Sequence, residues 1–565
     1  MLMIAELQQL RPVARLSSAA LETMQSTPPT TLLNPRERWI ATGSLLLGMV
    51  SFTTAIMVAN VVLPQLMTNL RVDLDQVQWV LTGPGIAQTV VMPMVGWLVS
   101  VTGHRNLFLG SLTLFSAASI LSGMAWSLTS LVVFQSLAGL GVGLMQPLIA
   151  ALLYQIFPPN QRGLALGLSM IGWSLGPAIG PIAGGYLVEW FNWRAAFYFS
   201  VPFSAAGVLC AFLFLPALPR PTRKTMDHIG LLTMTVGLVT FLMALSQGRR
   251  EGWDSSYIVV LFIIAALCLL AFVIWELLCA APFVDLRLFR NAPFTMASLV
   301  VFFSTCAFRG TGVLSIVFMQ RVLDFTPLDV GWLLLAGNIA YGVTVLLAGR
   351  LADKFEPSVL VIIGLWIFAV GFFWFATVNE MVTTGMLIVL LTFRLASYGI
   401  VGSPNNLTAM RALPETDVVM ASGLFALIRG ISGTLGPVVS ATFFDQRFLY
   451  HMQTYAANND ENALGLQEAL RNAQQTLQWS GEMPALLGVK TSALLQQRLV
   501  GEATTAAYQE YFFVAALLGA VATLPALPWD KIIGAVRGWR QAAQTERPMP
   551  GQITAPQPAT RTAQK

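Results

Sequence analysis

SLGPAIGPIAGG, residues 174–185, sets six glycines and prolines into an uncharged stretch that runs from 164 to 188. Glycine costs about 1 kcal/mol in a helix interior and proline about 3, so these are poor residues for a helix that reads as crossing a membrane. Gly172, Gly176, Gly180 and Gly184 recur at every fourth position and line one helix face. Such overlapping small-x-x-x-small units let two backbones approach closely where lipid offers no hydrophobic drive for packing. Pro177 and Pro181 each remove one helix hydrogen bond, which is tolerated where neighbouring helices bury the freed carbonyl. The stretch is expected to be a bent, close-packed hinge face between two helix bundles.

The rest of the chain supports that setting. Its 565 residues are 55% hydrophobic and 10% charged, against about 25% charged in soluble domains. Mean hydropathy is +0.68. A helical span needs roughly 20 apolar residues. Fourteen are predicted, at 40–63, 77–99, 107–126, 130–153, 164–188, 195–216, 229–247, 256–279, 294–319, 328–349, 358–378, 382–404, 418–443 and 511–529. With both termini inside, sixteen lysines and arginines fall on the inner side and seven on the outer. That bias predicts cytoplasmic termini. The net charge of +5 then reflects basic loops, and no nucleic-acid partner is expected. The four cysteines lie in or beside apolar runs and form no disulfide framework.

The halves echo each other. Leu175-Gly176-Pro177 recurs as Leu435-Gly436-Pro437, Phe134-Gln135 as Phe393-Arg394, and GWLVSVTG from Gly96 as GRLADKFE from Gly349. The offsets nearly agree, which points to a duplication of a six-helix unit with its ligand site at the repeat interface. The predicted organisation is an all-α integral membrane protein of two six-helix bundles with two inserted central helices. Residues 1–38 form a cytoplasmic segment, 39–216 the first bundle, 217–283 the inserted pair and 284–443 the first five spans of the second bundle. Residues 444–510 read as a polar extracytoplasmic loop, 511–530 as the last span, and 531–565 as a Pro/Gln/Thr-rich tail of disordered composition.

These features resemble the major facilitator superfamily, and within it the fourteen-span drug–proton antiporters of EmrB/QacA type. The resemblance covers residues 39–530. It rests on Gly167–Gly185 with the following Trp193, Arg194, Phe197, Val201 and Pro202, and on Asn60-Val61-Val62-Leu63-Pro64. Trp79-Val80-Leu81-Thr82, LSQGRREGW (245–253) and VDLRLFRN (284–291) also carry it. It implies the major facilitator fold in a bacterial inner membrane and efflux of hydrophobic or amphiphilic compounds by alternating access, without a bound cofactor and with a proton gradient as one candidate drive. It also implies a periplasmic adaptor protein as a possible partner. Three positions depart from the family pattern: Ala55 stands in place of the acid of the first helix, Ser100 in place of the inner-loop Asp, and Gln135 in place of the Arg of the fourth helix. The second-half counterpart of Ser100 keeps its acid, Asp353. Gly96, Gly103, Arg105, Gly349 and Asp353 are the expected cytoplasmic gate.

Inside the spans the chain carries cations rather than acids. Arg309, Arg394 and Arg429 fall well within spans 9, 12 and 13. An arginine at the bilayer centre costs roughly 2.5–3.5 kcal/mol on insertion scales, so each must face a cavity or a partner. Guanidinium binds carboxylate or phosphate through two parallel hydrogen bonds. The cavity is therefore expected to prefer anionic or weakly acidic amphiphiles, with Asn60, Gln88, Gln146, Gln320, Asn338, Asn405 and Asn406 as polar lining and Trp173, Phe302, Phe303, Tyr341 and Tyr398 as aromatic walls. An enzyme is not expected: the spans show no paired acids, no His/Asp metal set and no Ser/His pair, and the chain lacks a G-x-x-x-x-G-K-[ST] phosphate loop. The rival within the class is a facilitator or an exchanger not coupled to protons.

Overall fold

Uniform hydropathy around each helix means that every backbone polar group must be satisfied within its own span. In the computed structural model, the described residues are 34–216, 227–279, 284–379, 381–458 and 487–527, with 218, 282, 471 and 475. Fourteen described helices are long and apolar enough to cross a membrane, and no strand occurs among the described residues. The segment 1–33, the tail from 528 and most of 459–486, including the helix-like ENALGLQEALRNAQQTLQ, lie outside them.

Spans 1–6 are Pro35–Leu70, Trp79–Thr102, His104–Gly123, Leu128–Ile156, Arg162–Trp190 and Trp193–Phe214. Spans 7 and 8 are His228–Glu251 and Ser256–Leu278. Spans 9–14 are Ala292–Arg321, Pro327–Lys354, Pro357–Phe375, Thr384–Arg411, Val418–Asn458 and Leu487–Val521. Short polar side chains start several of them. Asp227 accepts from the Ile229 and Gly230 amides, Asn291 from Phe294, and Thr326 and Asp329 form a reciprocal capping box.

The duplication is visible in the packing. Span 1 packs on span 5 as span 9 packs on span 13, and span 2 on span 4 as span 10 on span 12. Between the bundles, span 5 crosses span 10 and span 2 crosses span 13, the same seam seen twice. The inserted helices pair with each other, and span 7 lies against spans 2 and 13.

The glycine face of span 5 is not part of a seam between bundles. A Cβ on Gly172 would lie 2.5 Å from Met49 Cγ, on Gly176 2.5 Å from the Thr53 backbone carbon, on Gly180 2.3 Å from Met57 Cβ and on Gly184 3.1 Å from Val61 Cβ. All four neighbours belong to span 1 of the same bundle. The repeat behaves alike, since a Cβ on Gly436 would lie 2.3 Å from the Cys306 carbonyl oxygen of span 9. The spacing identified a close-packed face, but periodicity carries no information about which helix fills it. Span 5 runs as one helix through Pro177, and also through Pro181, whose side chain lies outside the described ones. The interruption occurs instead in span 2, where Met92–Met94 forms one 3-10 turn at Pro93. There the Met92 carbonyl faces Gly423 of span 13.

The predicted polar loop 444–510 also differs. Span 13 continues as helix to Asn458 and span 14 begins at Leu487. At 1.5 Å per residue the 41 residues of span 13 reach ~60 Å, about twice a hydrocarbon core of ~30 Å. The two helices thus extend past the outer face side by side. They are tied by a two-pronged Arg447–Glu510 pair, with His451 Nε2 3.2 Å from the same carboxylate. Arg249 at the end of span 7 makes a similar pair with Asp445 at 2.7 and 3.1 Å.

The cores reveal the state of the molecule. One buried cluster on the inner half mixes both bundles, joining Leu45, Phe108, Leu152 and Phe157 to Leu407, Met410, Leu424 and Phe425. On the outer half the bundles keep separate cores, around Val62, Leu131 and Trp193 in one and around Phe318, Phe372 and Phe512 in the other. The bundles are thus joined at the end where span 1 starts and apart at the end where it finishes, so they open toward one end only.

Candidate functional site

Between the bundles, spans 1, 4, 5, 12 and 13 enclose a small cavity lined by Gln146, Ser169, Trp173, Asn406, Phe425 and Arg429, among others. Arg429 Nη2 donates to Asn406 Oδ1 at 3.2 Å, and its guanidinium lies 5.4 Å from the Phe425 ring centre. Across the cavity, Gln88 Nε2 donates to Gln146 Oε1 at 3.0 Å. Met49, Met170 and Met410 complete the wall, and flexible thioethers suit a surface that accepts varied shapes.

The second bundle also carries an aromatic stack joining spans 9, 10 and 12. Phe308 and Tyr398 lie parallel with centres 4.0 Å apart, and Tyr341 follows at 6.2 Å. Thr305 Oγ1 and the Tyr398 hydroxyl are 3.0 Å apart. Arg309 is exposed and makes no hydrogen bond or ion pair among the described residues. A planar aromatic surface can hold an apolar body, and a guanidinium such as that of Arg429 can hold an anionic head.

The remaining candidates go elsewhere. Arg394 is 4% exposed and turns into its own bundle. Its Nη2 donates to the Phe308 carbonyl at 2.5 Å, its Nε to Thr311 Oγ1 at 3.3 Å, and its guanidinium sits 4.5 Å from the Phe308 ring centre. Asn405 donates to the Ala297 carbonyl at 3.0 Å and joins spans 12 and 9. Asn60 and Asn338 bond carbonyls of their own helices, Ile56 at 2.7 Å and Leu334 at 2.9 Å. Gln135, the repeat counterpart of Arg394, donates to Ser122 Oγ at 3.0 Å.

At the inner seam, Gly163 and Leu164 open span 5 and donate their amides to Asp353 Oδ1 at 2.6 Å and Oδ2 at 2.9 Å. A carboxylate at a helix N-terminus is favourable by roughly 0.3–1 kcal/mol, and up to about 2 when partly buried. Arg411 Nη2 lies 3.8 Å from the same carboxylate. Beside it Ser403 Oγ donates to the Gly163 carbonyl at 3.0 Å, and Arg162 pairs with Glu415. A Cβ on Gly349 would meet the Gly163 oxygen at 2.4 Å, so two glycines make this crossing possible.

The equivalent seam in the first half lacks the charge. Ser100 Oγ bonds the Trp97 carbonyl of its own helix at 2.7 Å, and a Cβ on Gly96 would come only to 3.2 Å from Met420. Gly103 and Arg105 are not seam residues. Gly103, at φ 84°, makes the turn between spans 2 and 3, and Arg105 reaches the Phe212 carbonyl of span 6. Gly163 escaped the sequence reading, although Gly423, its mate in the repeat, lies near the start of span 13 and likewise meets a carbonyl of the facing bundle, that of Met92.

Comparison with known proteins agrees with this architecture. Residues 45–437 match the Major Facilitator Superfamily. The multidrug export protein EmrB of Escherichia coli strain K12 is 28% identical over 487 residues, 84% of this chain and 91% of that protein. The fatty acid resistance protein FarB of Neisseria gonorrhoeae is 30% identical over 438 residues, 74% and 85% of the respective chains. The crystal structure of the human organic anion transporter MFSD10 superposes with a TM-score of 0.55 at 15% identity, covering 88% of this chain and all of that one. The fold and these matches together show that the chain is a multi-pass membrane protein belonging to the major facilitator superfamily, among relatives that export drugs.

Proposed function

We propose that the protein exports anionic or weakly acidic amphiphiles from the cytoplasm across a bacterial inner membrane by alternating access. The observation that carries this reading is two cations within the spans that have no carboxylate partner among the described residues: Arg429, in a cavity with no Asp or Glu among its described lining residues, and the exposed Arg309 of span 9. The aromatic stack takes the apolar body, and the two guanidinium groups take the carboxylate or phosphate. A relative named for fatty acid resistance fits, because a fatty acid is an anionic amphiphile. The inner seam is the gate that opens in the other half of the cycle, with the termini on its cytoplasmic side. An extracytoplasmic adaptor would meet the chain on the paired extensions of spans 13 and 14.

The test is export of a fluorescent fatty acid and of a lipophilic cation from cells carrying the wild type or Arg309→Ala. Selective loss of anion export supports the reading. Unchanged export of both compounds overturns it.

Ala55 and the acid-free cavity favour a second reading of the energetics. The membrane potential alone drives an anion outward, at about 2.3 kcal/mol per charge for each 100 mV. Anion efflux abolished by valinomycin with potassium, yet insensitive to nigericin, marks this mode. The reverse pattern marks proton coupling.

A further inference from the structure

A second cleft, of about 760 Å³, opens on the inner face where the start of span 1, the start of span 5 and the end of span 10 meet. Its walls carry Arg38 from the first bundle and Arg350 and Lys354 from the second. None of the three has a carboxylate partner among the described residues. Arg38 Nε is buried without a hydrogen bond, its guanidinium lying 5.6 Å from the Phe157 ring centre. The one acid in the cleft, Asp353, is already engaged by two amides of span 5, so it does little to neutralise them. Immediately beside the cations, Trp39 and Ile40 are 51% and 44% exposed on the second turn of span 1.

We propose that this cleft binds the phosphate of an anionic phospholipid of the inner leaflet, and that the bound lipid holds the inner seam shut. An anion held by three cations satisfies groups that otherwise lack partners. The adjoining indole and isoleucine sit where acyl chains begin, and aromatic side chains favour that interface. A free phosphate would use only the cations, whereas a lipid uses both surfaces. Because the cations come from different bundles, they converge on one anion only while Gly163 and Gly349 remain crossed. A ligand that prefers one state shifts the equilibrium toward it.

The test uses the full chain in nanodiscs of phosphatidylcholine, with or without phosphatidylglycerol. Hydrogen exchange of the peptide holding the Gly163 and Leu164 amides reports the seam, and native mass spectrometry counts retained lipid. Phosphatidylglycerol should slow that exchange several-fold. Retention should fall roughly fivefold for each cation removed in Lys354→Gln and in Arg350→Gln/Lys354→Gln, as one juxtamembrane charge is worth. Both substituted side chains are exposed, so the variants test binding rather than folding. Equal exchange in the two lipid mixtures, or equal lipid retention by the variants, overturns the proposal. So does inorganic phosphate reproducing the full protection in phosphatidylcholine alone, since the ligand would then be a soluble anion.

Discussion

Gly163 and Gly349 cross with their backbones in contact: a Cβ on Gly163 would sit 2.3 Å from the Gly349 oxygen, and one on Gly349 2.4 Å from the Gly163 oxygen. No rotamer change relieves a clash between a side-chain root and a carbonyl on the facing helix. Gly349→Ala is therefore expected to part the inner seam and favour the inward-facing state. In a Ser403→Cys background, where the side chain is buried between Gly163 and Gly349, the thiol should then react several-fold faster with a membrane-impermeant thiol reagent applied to inside-out vesicles. An unchanged labelling rate would show that the seam can absorb the methyl group.

Asp353 anchors the same crossing by charge. In Asp353→Asn the side chain keeps one acceptor for the two amides and loses the attraction to the span 5 N-terminus. The expected loss is about 1 kcal/mol from the closed seam, or roughly fivefold in the balance between states. Hydrogen exchange at Gly163 and Leu164 should accelerate accordingly, and transport should slow. Asp353→Glu, if it recovers the contacts, should restore part of both.

Arg429 and Arg394 are the same residue type in neighbouring spans with different duties. Arg429→Gln should raise the KM for an anionic substrate roughly ten- to hundredfold, the worth of a hydrogen bond to a charged group. Protein stability should change little. Arg394→Ala should instead remove the buried charged hydrogen bonds to the Phe308 carbonyl and to Thr311 inside the bundle, costing about 1.5–3 kcal/mol. That loss should appear as a lower Tm in detergent, with the substrate KM held.

Gly176→Ala tests the glycine face of span 5. Its Cβ would press on the Thr53 backbone within one bundle, and overpacking of this kind costs about 1–3 kcal/mol. Reduced thermal stability and reduced folded yield are expected. A variant of wild-type stability that fails only in transport would return the face to a hinge role.

Much of this protein is written locally. The number of spans follows from apolar run lengths set by bilayer thickness, and the duplication from matched motifs such as Leu175-Gly176-Pro177 and Leu435-Gly436-Pro437. The presence of a close-packed face follows from four-residue glycine spacing. The cations within the spans and the missing acid at Ala55 are equally plain in the letters.

Which neighbour each of those residues meets was decided only by tertiary structure. Helices apolar all round carry no amphipathic signal, so nothing in the chain says whether Arg394 or Arg429 faces the cavity. Rotation and packing turn Arg394 onto Phe308 of span 9 and Arg429 toward Asn406 and the gap between bundles. The glycines of span 5 likewise needed a partner before their role could be named, and that partner is span 1. The gate needed Gly163 and Gly349, residues from different halves of the chain, to meet on one face, and sequence spacing cannot encode that crossing.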